Sequence, residues 1–360
     1  MTKQGSFKKV VRRHAKDTGQ RYTEALADLE GVGDRMAHTP TARELLAHAR
    51  EAHGVDATAA TKLSQHNDRV WRIDLADGQR WVARVYGPSR PRAGVDGDAA
   101  ILRFLEAQAY PAERVAAETS AFDGSTVILT RFIDGELLPS PAVGDQGPEK
   151  MRIMGDLLGR LHALPRDESS SRPGGASGED PAREGSPQQD VLSALALLDA
   201  VDTKVAPETR PLFEALREDV RSADAGDGLP EALVHGNLLH APDHIVVERG
   251  AGPVAINWRA AGRGPRLSDL AYILWGCWLD EPSISAALGA YRQHVELTDD
   301  ELDRMAGVML LRPAYLCCFD WRRTLLAGRQ PQAGDRWARP DTAYIAAAAG
   351  AVRAAWQRAG

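Results

Sequence analysis

Cysteine is scarce in this chain. Its 360 residues include three, Cys277, Cys317 and Cys318, two of them adjacent. Adjacent cysteines rarely pair, and none of the three has metal-ligand spacing. A disulfide framework and a cysteine-based metal centre are therefore not expected, and a reducing compartment is. No apolar run approaches the roughly 20 residues that a spanning helix needs. The N-terminus lacks the apolar core of a signal peptide, so the expected location is the cytoplasm, with no membrane partner. Positive charge is not in excess either. Lys and Arg number 44 against 50 Asp and Glu, for a net charge of −6, which argues against a nucleic-acid partner. What is present is ordinary for a soluble globular protein: 43% apolar and 26% charged residues, in a length that fits one to three domains.

The pattern along the chain changes several times. Residues 1–38 read as a helical extension. Val10, Val11 and Ala15 share one face before Gly19, and Tyr22, Ala25, Leu26 and Leu29 share another after it. From Lys3 to Glu24 there are seven basic and two acidic residues. The plain reading is a hairpin docked on the body with its charges solvated. The alternative is an arm for an anionic, peptide or protein partner. Residues 39–135 read as a small α+β lobe. Thr41 and Glu44 have capping-box spacing, and "RVWRIDLADGQRWVARVY" reads as a hairpin turning at Asp77-Gly78. "GDAAILRFLEAQAY" is an amphipathic helix, and Ser125 to Ile133 is a buried strand. Residues 136–360 are mainly helical. Within them 166–190, "RDESSSRPGGASGEDPAREGSPQQD", has almost no apolar side chains. Burial there cannot offset ordering entropy, so a mobile surface insertion is expected.

One short stretch is dense in groups that handle protons or metals. "LVHGNLLHAPDHIVV", Leu233 to Val247, holds His235, Asn237, His240, Asp243 and His244 in the loop between two strand-like runs. Spacings of five and nine residues, interrupted by Pro242, do not place the histidines on one helical face. A transition-metal site is accordingly a minor reading.

This loop, followed by "VAINWRAAGRGPRLSDLAYILWG", resembles the aminoglycoside phosphotransferase and choline-kinase-like family. That family's pattern is V-H-G-D, an Asn five residues on, a hydrophobic strand, then I-D-W-E, G-x-G and D-L-A. "WVARVY", "VILTRFIDGELL" and "MGDLLGRLHALP" match its lysine strand, its hinge and the helix that follows. The resemblance covers roughly residues 40–330. It implies a two-lobed protein-kinase-like fold with a small antiparallel-sheet N-lobe and a larger helical C-lobe. It also implies ATP and magnesium as cofactors.

Residue by residue, the resemblance carries a conflict. Phosphoryl transfer needs a base that orients the attacking hydroxyl, metal ligands, a cation on the phosphates and a cover loop. The base position falls on Asn237, whose amide accepts no proton. Losing a general base costs on the order of 10²–10⁴-fold. The chief metal ligand falls on Asn257 and the second on His244, or on Asp243, because the loop is longer here. Magnesium prefers carboxylates, so these neutral groups would hold it weakly. His235 and Asp269 match residues that brace the loop. In the small lobe Arg84 stands at the lysine position and Asp98 at its acidic partner. The resemblance places Arg84, Asp98, Arg131 and Ile133 around the cofactor. The cover loop, "KLSQHNDRVW", has no glycine and so approaches phosphates less freely.

The leading expectation is a degenerate kinase, or pseudokinase. It would bind a nucleotide, small molecule or peptide in the interlobe cleft without efficient phosphoryl transfer. Two alternatives stay open. One is an active small-molecule phosphotransferase with Asp243 as a substitute base. The other is a repurposed biosynthetic enzyme or binding protein with a non-nucleotide ligand.

Overall fold

The computed structural model describes residues 39–63, 69–88, 90–138, 147–168, 172, 174, 187–238, 244–277 and 279–358. The extension 1–38, the centre of the cover loop, Trp278, and His240 and Asp243 of the polar loop lie outside the described residues. The chain divides into two compact units.

The first unit opens with α1 (Ala42–His53). Its start is set by the expected capping box. Glu44 N–H donates to Thr41 Oγ1 at 3.3 Å, and Thr41 N–H donates back to Glu44 Oε2 at 2.8 Å. Gly54 ends the helix in the left-handed region, φ 66°, which favours glycine. Five antiparallel strands follow: β1 (Ala57–Lys62), β2 (Val70–Leu75), β3 (Arg80–Tyr86), β4 (Val115–Phe122) and β5 (Ser125–Arg131). Their spatial order is β1-β2-β3-β5-β4. Alternation sends Trp71, Ile73, Leu75, Trp81, Ala83 and Val85 to one face, where they pack with Leu45 and Ala49 of α1. The β2–β3 hairpin turns where the sequence indicates, with Gly78 at φ 86°. Helix α2 (Arg92–Ala107) begins in this unit and ends in the second.

The second unit is mainly helical. Its described helices are α3 (Pro148–His162), α4 (Pro187–Asp199), α5 (Arg210–Ser222), α6 (Arg266–Trp275), α7 (Glu281–Arg292), α8 (Asp299–Leu326) and α9 (Thr342–Arg358). Helix α3 packs closely on α7 because Gly155 and Gly159 carry no side chain. A Cβ at Gly159 would sit 2.8 Å from the Tyr291 carbonyl oxygen. Two small sheets complete the unit: β7 (Glu231–Val234) with β10 (Gly262–Pro265), and β6 (Gly135–Leu137), β8 (Ile245–Glu248) and β9 (Gly252–Ala255) in the order β6-β8-β9. Cys277, Cys317 and Cys318 are buried free thiols. Burial pushes Cys277 and Cys317 up to about 12, which keeps them protonated and unreactive. Among the described residues no helix is long and apolar enough to cross a membrane.

The stretch expected as a mobile insertion needs correction at two places. Helix α4 starts at Pro187, inside it, and Asp190 is buried. Further back, Arg172 and Gly174 are tied to β10. The Arg263 N–H donates to the Arg172 carbonyl at 2.6 Å, and the Gly174 N–H donates to the Arg263 carbonyl at 2.8 Å. Backbone pairing needs no apolar side chain, which is why composition does not reveal it.

Candidate functional site

The polar loop leaves β7 at Val234 and is held from below by α6. Asp269, in the first turn of α6, accepts the backbone N–H of His235 at 2.6 Å through Oδ2 and that of Gly236 at 2.9 Å through Oδ1. Both carboxylate oxygens are thus committed to the loop backbone. Asp269 and His235 are buried. Gly236 takes φ 80°, a turn that favours glycine.

His235 ties the loop to the next strand. Its Nε2 lies 3.0 Å from the Ile256 carbonyl oxygen. A carbonyl only accepts, so Nε2 carries the proton. Nδ1 is then the acceptor for the Asn237 backbone N–H at 3.3 Å. The ring also packs on Trp258, centroids 4.7 Å apart. Trp258 is fixed in turn by its indole N–H to the Ala255 carbonyl at 3.1 Å. Asn237 is buried beside this brace.

Asn257 follows β9 in the left-handed region, φ 68° and ψ 62°, and starts a short 3₁₀ turn over Trp258–Ala260. Asn tolerates this conformation better than most side chains. Its Nδ2 lies 2.7 Å from His244 Nε2. His244 is buried, and its carbonyl accepts the Ile256 N–H at 2.9 Å. His235, Asn237, His244 and Asn257 are thereby joined by one set of hydrogen bonds.

Among the described residues, these side chains offer magnesium no free carboxylate oxygen. The donors at the two ligand positions are an amide and an imidazole, and each is bonded to the other. Asp269 has spent both oxygens on backbone N–H groups. A hard cation that prefers carboxylate oxygen finds none available among the described residues here. Among the described residues, no group of three His, Cys, Asp or Glu gathers around a possible metal.

In the first unit the expected ion pair is corrected. Arg84 pairs with Glu113, Nη1 to Oε2 at 2.5 Å, and Thr130 Oγ1 donates to the same oxygen at 3.0 Å. Asp98 is bound by Arg90 instead, whose Nη2 lies 2.7 Å from each carboxylate oxygen. Arg90 also stacks over Tyr86 at 5.1 Å. The reason is reach. Asp98 is short and already neutralised by Arg90, two residues before α2, whereas Glu113 lies just before β4 beside Thr130 of β5. Burial works against the Arg84 charge, but the charge and hydrogen bond of Glu113, with Tyr86 and Asp98 adding to them, together raise the guanidinium pKa. Arg131 is exposed at the end of β5 and gives its backbone N–H to the Arg114 carbonyl at 2.8 Å. Ile133 is half-buried just beyond it.

Sequence reasoning missed two further participants. His162, buried on α3, holds Tyr291 Oη 2.9 Å from its Nδ1, and its Nε2 is 3.8 Å from Asp269 Oδ2. Its one signal was a polar residue on the apolar face of an amphipathic helix. Arg172 was the other. Its Nε donates to the Ala261 carbonyl at 2.8 Å and its Nη2 approaches the Trp258 carbonyl at 3.4 Å. It thus holds the turn that follows Asn257, and nothing in the local sequence marked it.

Comparison with known proteins supplies the context. A family model described as "Phosphotransferase enzyme family" matches residues 59–308. No curated protein matches the chain. Among solved structures, a macrolide 2'-phosphotransferase from Brachybacterium faecium is 21% identical, with 86% of this chain and 97% of that one covered and a TM-score of 0.51. A choline kinase from Streptococcus pneumoniae is 12% identical, covering 87% of this chain and 99% of that one, TM-score 0.54. An amicoumacin kinase in complex with AMP-PNP and calcium is 14% identical, covering 91% and 95%, TM-score 0.56. At these identities the likeness establishes the fold, which is the two-lobed kinase-like one.

Proposed function

The chain belongs to the phosphotransferase enzyme family, and from that premise we propose that it is a degenerate kinase. It keeps the scaffold and binds a phosphate-bearing small molecule, such as a nucleotide, without efficient phosphoryl transfer. The observation that carries this reading is the hydrogen bond between Asn257 and His244, at the family's metal-ligand positions, beside Asn237 at the base position. Amides donate to phosphate oxygens directly. With the two carboxylates replaced, the loop no longer repels a bare phosphate, so a divalent cation is not needed to bridge them. Arg84, paired with Glu113, is a cation of the first unit whose guanidinium suits the same ligand class.

The test is a thermal-shift titration with ATP, with and without magnesium, combined with a turnover assay on a panel of alcohols and aminoglycosides. The expected result is a shift that does not depend on magnesium, with no phosphorylated product. Magnesium-dependent binding together with turnover that Asp243→Asn abolishes would replace this reading with an active kinase using Asp243. Restoring charge in an Asn237→Asp, Asn257→Asp double variant is expected to make nucleotide binding magnesium-dependent.

A further inference from the structure

A second cluster of imidazoles lies in the first unit, away from the polar loop. Helix α1 contributes His48 and His53, and strand β4 contributes Ser120. His48 Nε2 is 2.8 Å from Ser120 Oγ, and His53 Nε2 is 3.1 Å from the same oxygen. Two ring nitrogens from one helix therefore converge on a single point over the edge strand of the sheet.

The hydrogen-bond arithmetic of this point is tight. A hydroxyl has one proton, so it can donate to one Nε2 only. When both rings are neutral, the other ring must be protonated at Nε2 and donate to Oγ. The two rings then hold opposite tautomers around one oxygen. Packing holds both in place. The rings meet edge to face with centroids 5.8 Å apart, and Phe122, on the same face of β4 as Ser120, contacts His48 at 5.1 Å. Both histidines are half-buried, so solvent reaches them. Burial lowers both pKa values, and the neighbouring His53 lowers that of His48 further while Glu51 acts against it. The neutral ring is the form that ligates metals.

We propose that His48 and His53 form a two-imidazole site for a borderline divalent transition metal, zinc, nickel or copper(II), at the seam between α1 and β4. The two Nε2 atoms are the protein nitrogen ligands, and water completes the shell. Ser120 Oγ occupies the position between the nitrogens when no metal is bound. On binding, the ring that carries its proton on Nε2 moves it to Nδ1, and Ser120 turns aside. Nitrogen donors of this kind select zinc, nickel or copper over magnesium and calcium, which take oxygen. With no third imidazole, thiolate or carboxylate in reach among the described residues, the metal stays exchangeable. Both protein ligands belong to α1, so its effect is to staple the last two turns of that helix.

The experiment is calorimetric titration of the untagged full chain with zinc chloride, with magnesium chloride as the comparison. The expected result is one zinc equivalent that disappears in both His48→Gln and His53→Gln. It persists in Ser120→Ala and in the control His294→Gln, and magnesium gives no heat at this site. Absence of zinc binding, or binding unchanged in the two glutamine variants, overturns the proposal. If either variant fails to fold, copper(II) electron paramagnetic resonance on the unsubstituted chain decides. Hyperfine coupling to two imidazole nitrogens supports the site, and coupling to none or one refutes it.

Discussion

Asn257 and His244 bond to each other through their side chains, Nδ2 to Nε2 at 2.7 Å, just beyond the end of the β8–β9 ladder. The contact joins the two residues, Asn257 and His244, at which the sequence resemblance leads one to expect metal ligands. The left-handed backbone at Asn257, φ 68°, places the amide there.

Backbone and side-chain demands at Asn257 separate in two variants. Asn257→Gly and Asn257→Ala both lose the bond to His244, but only glycine tolerates the left-handed region without cost. The alanine variant is expected to be less stable than the glycine variant by about 1 kcal/mol, as read from urea unfolding midpoints.

The Arg84–Glu113 pair is buried enough for its loss to register, with side-chain exposures of 13% and 3%. Glu113→Gln leaves a desolvated cation and is expected to cost about 3–5 kcal/mol. A double-mutant cycle by denaturant unfolding should show larger coupling between positions 84 and 113 than between 84 and 98. The opposite ranking would restore the partner that sequence alone suggested.

Arg172 is expected to act on the turn after Asn257. Arg172→Ala removes donors from the Ala261 and Trp258 carbonyls. Hydrogen-bonded charges of this kind contribute about 1.5–3 kcal/mol. Amide hydrogen exchange across residues 257–263 should accelerate in this variant, while exchange in β2 and β3 stays unchanged.

Acid stability should depend on Asp224. Its carboxylate receives Arg304 Nε and Nη2, each at 2.7 Å. The Arg304 hydrogen bonds hold its pKa below the ordinary 3.8. A carboxylate lowered in the folded state binds fewer protons there than in the unfolded chain. Its contribution is therefore present above pH 3.8 and is lost as pH falls through the lower folded value. Asp224→Asn is expected to lower stability at neutral pH and to flatten this limb of the acid-unfolding curve.

Signals in the sequence are legible where the interaction itself is local. The Thr41–Glu44 box spans three residues, and both of its bonds form. The Asp77-Gly78 turn joins β2 and β3 because alternation on both sides specifies register. Composition marks the insertion, but it reports side chains and not the backbone bonds of Arg172 and Gly174 to Arg263. Glu113 was missed for a related reason. It lies 29 residues from Arg84, and no spacing rule connects an acid just before β4 with a cation on β3.

By itself, then, the sequence determined the family, the order of sheet unit and helical unit, and that amides stand at 237 and 257. Those depend on residue identity and on motifs within a few residues of one another. Only the tertiary structure decided which charges neutralise which, that His244 and Asn257 bond to each other, and that His48 and His53 meet over Ser120. Hydrogen bonds and ion pairs require approach within about 3 Å. Strand register and helix packing set that distance between residues far apart in the chain.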